Sequence, residues 1–213
     1  MKIQKYDGYF ETYPLSATVS KITCPYVGGL CSVHYLDGTV HSLNTVADGY
    51  NSQFGLPVSP DGKLLFVSSW DTGLHAYDII TGKEIWHFKS TRIKAVYTAE
   101  TYVVAVRYGN SILKLNIADG SKIGELRSGT IECSFELSFP YVLIDTYRGK
   151  LSVIDMNTLT VARQYARTQI NPINAISFMI REVSLKRNKL TISGLEGSLP
   201  FCRVIDHHFP PTD

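Results

Sequence analysis

The residues of this 213-residue chain best suited to chemistry are four cysteines, six histidines and a few glycine-flanked serines. Cys24 and Cys31 have six residues between them, with His34 nearby. Zinc sites favour shorter cysteine spacing and a second ligand pair, so the two thiols read as small buried hydrophobes. His207 and His208 are adjacent, and neighbours in extended chain point to opposite faces, which keeps them from sharing a metal. His41 and His75 occupy matching places in a repeat, but Leu113 and Ser152 stand there in later copies. That pattern is a tolerant strand face, and no metal site is expected. Ser193-Gly194 and Gly197-Ser198 lack a companion histidine-and-carboxylate set, and there is no Gly-x-Ser-x-Gly elbow. No glycine-rich phosphate loop opens a helix. The expectation is a protein without catalytic residues or cofactor.

Residues suited to binding are more regular. Tyr35, Trp70, Tyr108 and Tyr147 recur at intervals of 35, 38 and 39 residues, each ending a strand ahead of a hairpin. Two readings stand: packing between neighbouring sheets, and an aromatic set offered to a partner. The loops beside them hold Lys89, Arg92, Arg127, Arg148, Lys150 and Arg167, against the acids Asp48, Asp71 and Glu196. The partner-binding candidates are therefore Trp70, Tyr108, Tyr147, Arg92, Arg127 and Arg148. A basic, aromatic face suits a protein with an acidic patch, because opposite fields orient docking. Single-stranded nucleic acid fits less well, since no basic run tracks a backbone and the net charge is only +2.

The elements that must position these residues are strands. From Gly73 to Phe88 an alternating run reaches Asp78, turns through Thr81-Gly82, and resumes with Ile85, Trp86 and Phe88. The carboxylate of Asp78 can accept backbone N–H groups, and Gly82 tolerates positive φ. Asn116 and Asp155 repeat the turn at steps of 38 and 39 residues, and Asp48-Gly49 is a looser earlier copy. A period near 40 residues made of strands and turns marks a β-propeller. Five blades fit: 15–50, with Asp37-Gly38 as a hairpin turn, then 52–90, 91–128, 129–167 and 168–206. The alternating run from Tyr6 to Tyr13 is expected to close the last blade, removing a free sheet edge. The fold expected is all-β, a propeller of about five four-stranded blades.

Composition agrees with one domain over 1–206 and a flexible tail at 207–213. Hydrophobic residues make up 44% and charged residues 19%, ordinary values for a globular protein. The start lacks the apolar core of a signal peptide, and no run approaches a membrane span. Four scattered cysteines do not form an extracellular disulfide scaffold. A cytoplasmic location with reduced thiols is the expectation.

The Gly73–Trp86 stretch resembles the blade repeat of quinoprotein-like, PQQ-type propellers, a WD40-like class of repeat. Gly73, Leu74, Ala76, Asp78, Thr81, Gly82, Lys83 and Trp86 carry the resemblance. Quinoprotein dehydrogenases of this look are eight-bladed and exported, and hold their quinone beside a vicinal cysteine pair and a calcium site. Neither feature stands in this chain, so the resemblance implies the blade and not the cofactor. Non-catalytic members serve as docking platforms, and among small bacterial proteins one such use is immunity, binding and neutralising a toxin domain. Five-bladed carbohydrate-binding lectins are the alternative, although the aromatic repeats here without their polar set.

Overall fold

The structure is a computed structural model. It describes residues 2–6, 9–13, 17–25, 29–47, 57–147, 149–171, 178–186 and 188–206. The chain divides into two compact units, Met1–Glu125 and Leu126–Asp213.

The first unit holds three antiparallel sheets. β1 (Lys2–Tyr6), β2 (Tyr9–Tyr13), β3 (Val19–Pro25), β4 (Gly29–Tyr35) and β5 (Val40–Ala47) pair in chain order. β6 (Leu64–Ser69), β7 (Gly73–Asp78) and β8 (Glu84–Lys89) form the second sheet, with a Val58–Leu65 bridge on its open edge. β9 (Ile93–Thr98), β10 (Tyr102–Arg107), β11 (Ser111–Asn116) and β12 (Lys122–Arg127) form the third, the last two residues of β12 falling in the second unit. The second unit adds β13 (Ile131–Glu136), β14 (Tyr141–Thr146), β15 (Leu151–Asp155) and β16 (Thr160–Tyr165). One helical turn, Arg167–Ile170, precedes the sheet of β17 (Phe178–Lys186), β18 (Lys189–Glu196) and β19 (Leu199–Asp206). The fold is all-β, as expected.

One backbone hydrogen bond recurs in four sheets and sets their common register. Leu36, Ile79, Ile117 and Met156 donate to the carbonyls of Thr18, Lys63, Thr101 and Pro140, at 2.8, 2.9, 3.1 and 2.9 Å. Each time, the residue after one strand reaches the residue before its neighbour. The turn chemistry beside that bond is the Asx type expected. Asp78 accepts from the backbone N–H of Thr81, Asn116 from that of Ala118 and Asp155 from that of Asn157.

That register corrects the expected alignment of the first sheet. Asp37-Gly38-Thr39 matches Asp119-Gly120-Ser121, since both aspartates accept the backbone N–H and the hydroxyl two residues on. Asp48-Gly49, expected in that role, lies outside the described residues. Tyr35 therefore holds the place that Asp78, Asn116 and Asp155 hold in the other sheets and is not the counterpart of Trp70. Its hydroxyl donates to Ile79 O at 2.8 Å, as the Trp86 indole N–H donates to Ile117 O at 2.9 Å.

The N-terminal run does not close the last sheet. β2 pairs with β3, from Tyr9↔Pro25 to Thr12↔Ile22, and β1 pairs with β2. The buried carboxylate of Glu11 meets the Lys21 ammonium across that pair, so leaving the sheet would strand a charge. Among the described residues the sheets hold five, three, four, four and three strands, against the four expected in each.

Burial falls toward the last strand of the second, third and fourth sheets. β6, β10 and β14 are near-continuous apolar runs because both faces are covered. On β8, β12 and β16 the apolar residues Ile85, Ile123 and Val161 are exposed among charged and polar neighbours, which blunts an edge. Within the first unit the sheets pack face to face. Val33 and Leu43 meet Leu65 and Val67, while Phe66 and Trp86 meet Val103 and Leu113. In the second unit Leu143 and Val153 pack against Phe178 and Ile192.

Gly120 shows how tight this packing is. Its φ is +71°, and a Cβ there would lie 2.6 Å from the Trp86 ring. Gly38, at the matching turn position with φ +88°, faces open space. Gly38→Ala should therefore cost about 1 kcal/mol from backbone strain alone. Gly120→Ala should cost about 2–4 kcal/mol, measured by urea unfolding. Equal losses would mean that Trp86 does not lock the two sheets together.

Candidate functional site

Trp70 follows β6 and Tyr108 follows β10, each at the sheet end opposite the Asx turn. Between them stands Arg92, just ahead of β9. Its N–H donates to Trp70 O at 2.7 Å and its carbonyl accepts from Tyr108 N–H at 2.6 Å. Arg92 adopts a left-handed φ of 63°, which is uncommon for a residue with a Cβ. The two hydrogen bonds hold that conformation and fix the spacing of the aromatics.

The rings of Trp70 and Tyr108 lie 5.6 Å apart at 40°. The Arg92 guanidinium stands 5.9 Å from the Trp70 ring centre, and the Lys94 ammonium 5.5 Å from that of Tyr108. Tyr108 and Arg92 are exposed and Trp70 is half-buried. This is two aromatic anchors capped by two cations, an arrangement that offers apolar area and positive charge together. Three of the six candidates are thus brought together.

Two other candidates, Tyr147 and Arg127, belong to the second unit. Tyr147 is 55% exposed, at the equivalent place after β14, and its N–H donates to Thr130 O at 2.7 Å. Arg127 is exposed and lines a groove with Thr146, Lys150, Ser152 and Gln164. Arg148 lies outside the described residues. Arg167, expected among the surface cations, is instead an internal residue: it pairs with buried Asp145, donates to Phe178 O at 3.0 Å and covers the Phe178 ring.

Sequence reasoning missed two features. Lys94 lies two residues beyond Arg92, on β9, and its ammonium reaches the Tyr108 ring. His75 and His87 are cross-strand partners in β7 and β8, stacked with ring centres 3.9 Å apart. The thiols match expectation: Cys24 and Cys31 are buried in the first core. The hydrogen bond that the Cys31 thiol donates to Cys24 Sγ, then burial, raises the Cys31 thiol well above its ordinary pKa, so it stays protonated and inert.

Comparison with known proteins places these features in context. Residues 32–178 match a family of PQQ type described as outer membrane protein assembly factor BamB. No curated protein matches the sequence. Among solved structures, BamB from Moraxella catarrhalis aligns at TM-score 0.58 and 14% identity, over 95% of this chain and 59% of that one. The Cps50 (Swd1) β-propeller domain of Myceliophteria thermophila aligns at 0.59 and 14%, over 91% and 64%. The computationally designed Ika4 protein aligns at 0.55 and 16%, over 72% and 89%. Such identities speak to the fold alone, and the chain spans under two thirds of the BamB and Swd1 chains.

Proposed function

We propose that this chain, which belongs to the PQQ-type repeat family described as outer membrane protein assembly factor BamB, is a non-catalytic module that binds another protein. The observation that carries this reading is the Trp70–Arg92–Tyr108 cluster with Lys94. Solvent-accessible aromatics beside cations anchor a partner surface that presents carboxylates. The five sheets act as blades of a single propeller over 1–206, with 207–213 as a tail. Tyr147 occupies in its own sheet the position that Trp70 and Tyr108 occupy in theirs, and with Arg127 and Arg148 it completes the proposed partner-binding set. The partner is a toxin domain with an acidic patch, held inactive in the complex, and the setting is cytoplasmic. Among the described residues no helix is long and apolar enough to cross a membrane.

The test is co-expression with the product of the adjacent reading frame. The expected result is a stoichiometric complex that restores growth when that product is toxic alone. Specific glycan binding on an array, with no complex formed, would favour a lectin and overturn the reading.

A further inference from the structure

A second site lies on the β7–β8 pair, and it is independent of the docking reading. His75, Glu84 and His87 place one donor atom each within 4.8 Å of one another. They come from two hydrogen-bonded strands, with His75 directly opposite His87. A register shift between Ala76 and Tyr77 sets Glu84 opposite Tyr77 and so brings its carboxylate to the same face.

Thr72 organises both imidazoles. His87 Nε2 lies 2.7 Å from Thr72 O, and a carbonyl only accepts, so that nitrogen carries the proton. His75 Nε2 lies 2.9 Å from Thr72 Oγ1. Each ring is thereby anchored through Nε2, which leaves Nδ1 as the atom to face a ligand; in His75 that nitrogen donates its proton to the Glu84 carboxylate, and a metal would displace that proton. A metal-binding histidine usually has its other nitrogen held this way by a carbonyl or polar side chain. His75 Nδ1 already lies 2.9 Å from Glu84 Oε2. Neighbouring ligands on a tetrahedral zinc ion stand roughly 3.3 Å apart, given bonds of about 2.0–2.1 Å. The Tyr77 hydroxyl donates to the same carboxylate oxygen at 3.3 Å, steadying it.

We infer that His75, Glu84 and His87 form a three-ligand site for a divalent transition ion such as zinc. Two imidazoles and one carboxylate suit zinc or its neighbours and are too few oxygens for calcium or magnesium. The stacked rings must splay to converge on one ion, which the hairpin allows because Glu84 is exposed and His87 half-buried. Thr72 and His87 also line a groove of about 630 Å³ with Asp71, Lys89 and Arg107. The exposed Glu84 leaves solvent able to complete the coordination.

The test titrates Zn2+ into the full chain by calorimetry and records the spectrum of the Co2+ form. The expected result is one ion per chain, with affinity lowered at least about tenfold in Glu84→Gln and in His87→Ala. Glu84→Gln keeps the shape and exposure of the side chain, so it separates ligation from folding, and circular dichroism checks both variants. The Co2+ spectrum should lack thiolate charge-transfer bands. Equal Zn2+ affinity in the Glu84→Gln/His87→Ala double variant would overturn the site. A thiolate band would do so too, by assigning the ion to cysteines.

Discussion

Arg167→Ala should destabilise the protein by about 3–5 kcal/mol at pH 8, the largest loss expected of any single substitution considered. The guanidinium is the cation facing Asp145, a carboxylate whose side chain is 5% exposed, in the otherwise apolar β14. Truncation leaves that charge buried and alone. It also removes the bond to Phe178 O and the cover over the Phe178 ring, which tie the start of β17 to β14.

The loss should depend on pH. Burial pushes the Asp145 carboxyl up to about 6, outweighing the pull of Arg167 in the other direction. The unfolded value is about 3.9, so between roughly pH 4 and pH 6 the folded chain holds more protons. Its contribution to stability is then greatest below that window and falls as pH rises through it. Without Arg167 the carboxyl protonates at still higher pH, so the variant recovers part of its loss on acidification. Urea unfolding at pH 5 and pH 8 should show a clearly smaller loss at pH 5. Asp145→Leu/Arg167→Met should regain most of the stability by removing both charges. A loss of the same size at both pH values would mean that only packing was removed.

The second large effect concerns binding. Trp70→Ala/Tyr108→Ala should weaken the complex by about 2 kcal/mol or more, roughly thirtyfold, because aromatic anchors dominate interface energies. Tyr108 is exposed and Trp70 half-buried, so the unfolding midpoint should move little beside the loss of affinity. Arg92→Ala should act differently, through a slower on-rate and a weaker dependence on salt, as a steering charge does. Surface plasmon resonance separates the two effects. An unchanged dissociation rate in the aromatic double variant would place the contact elsewhere.

The turns were legible in sequence because their chemistry is local. Asp78, Asn116 and Asp155 accept nearby N–H groups whatever the sheets do. The first sheet was misaligned because Asp37-Gly38 would serve as well at either end of a strand. Only the bond from Leu36 to Thr18, matching Ile79 to Lys63, tells which end it is. The N-terminal run alternates correctly for any sheet edge, and the Glu11–Lys21 pair that selects β3 spans ten residues. His75 and His87 escaped notice because the repeat was compared along the chain, whereas they meet across it. Arg167 was misplaced for a related reason: a lone aspartate in an apolar strand calls for a buried cation, but does not say which.

The claim that most depends on measurement is that the Trp70–Tyr108 cluster is the docking surface. A photo-crosslinking residue at position 108 should capture the proposed protein partner, while the same residue in place of Ile85, exposed on β8, should not. Capture from position 85 with none from position 108 would contradict the account.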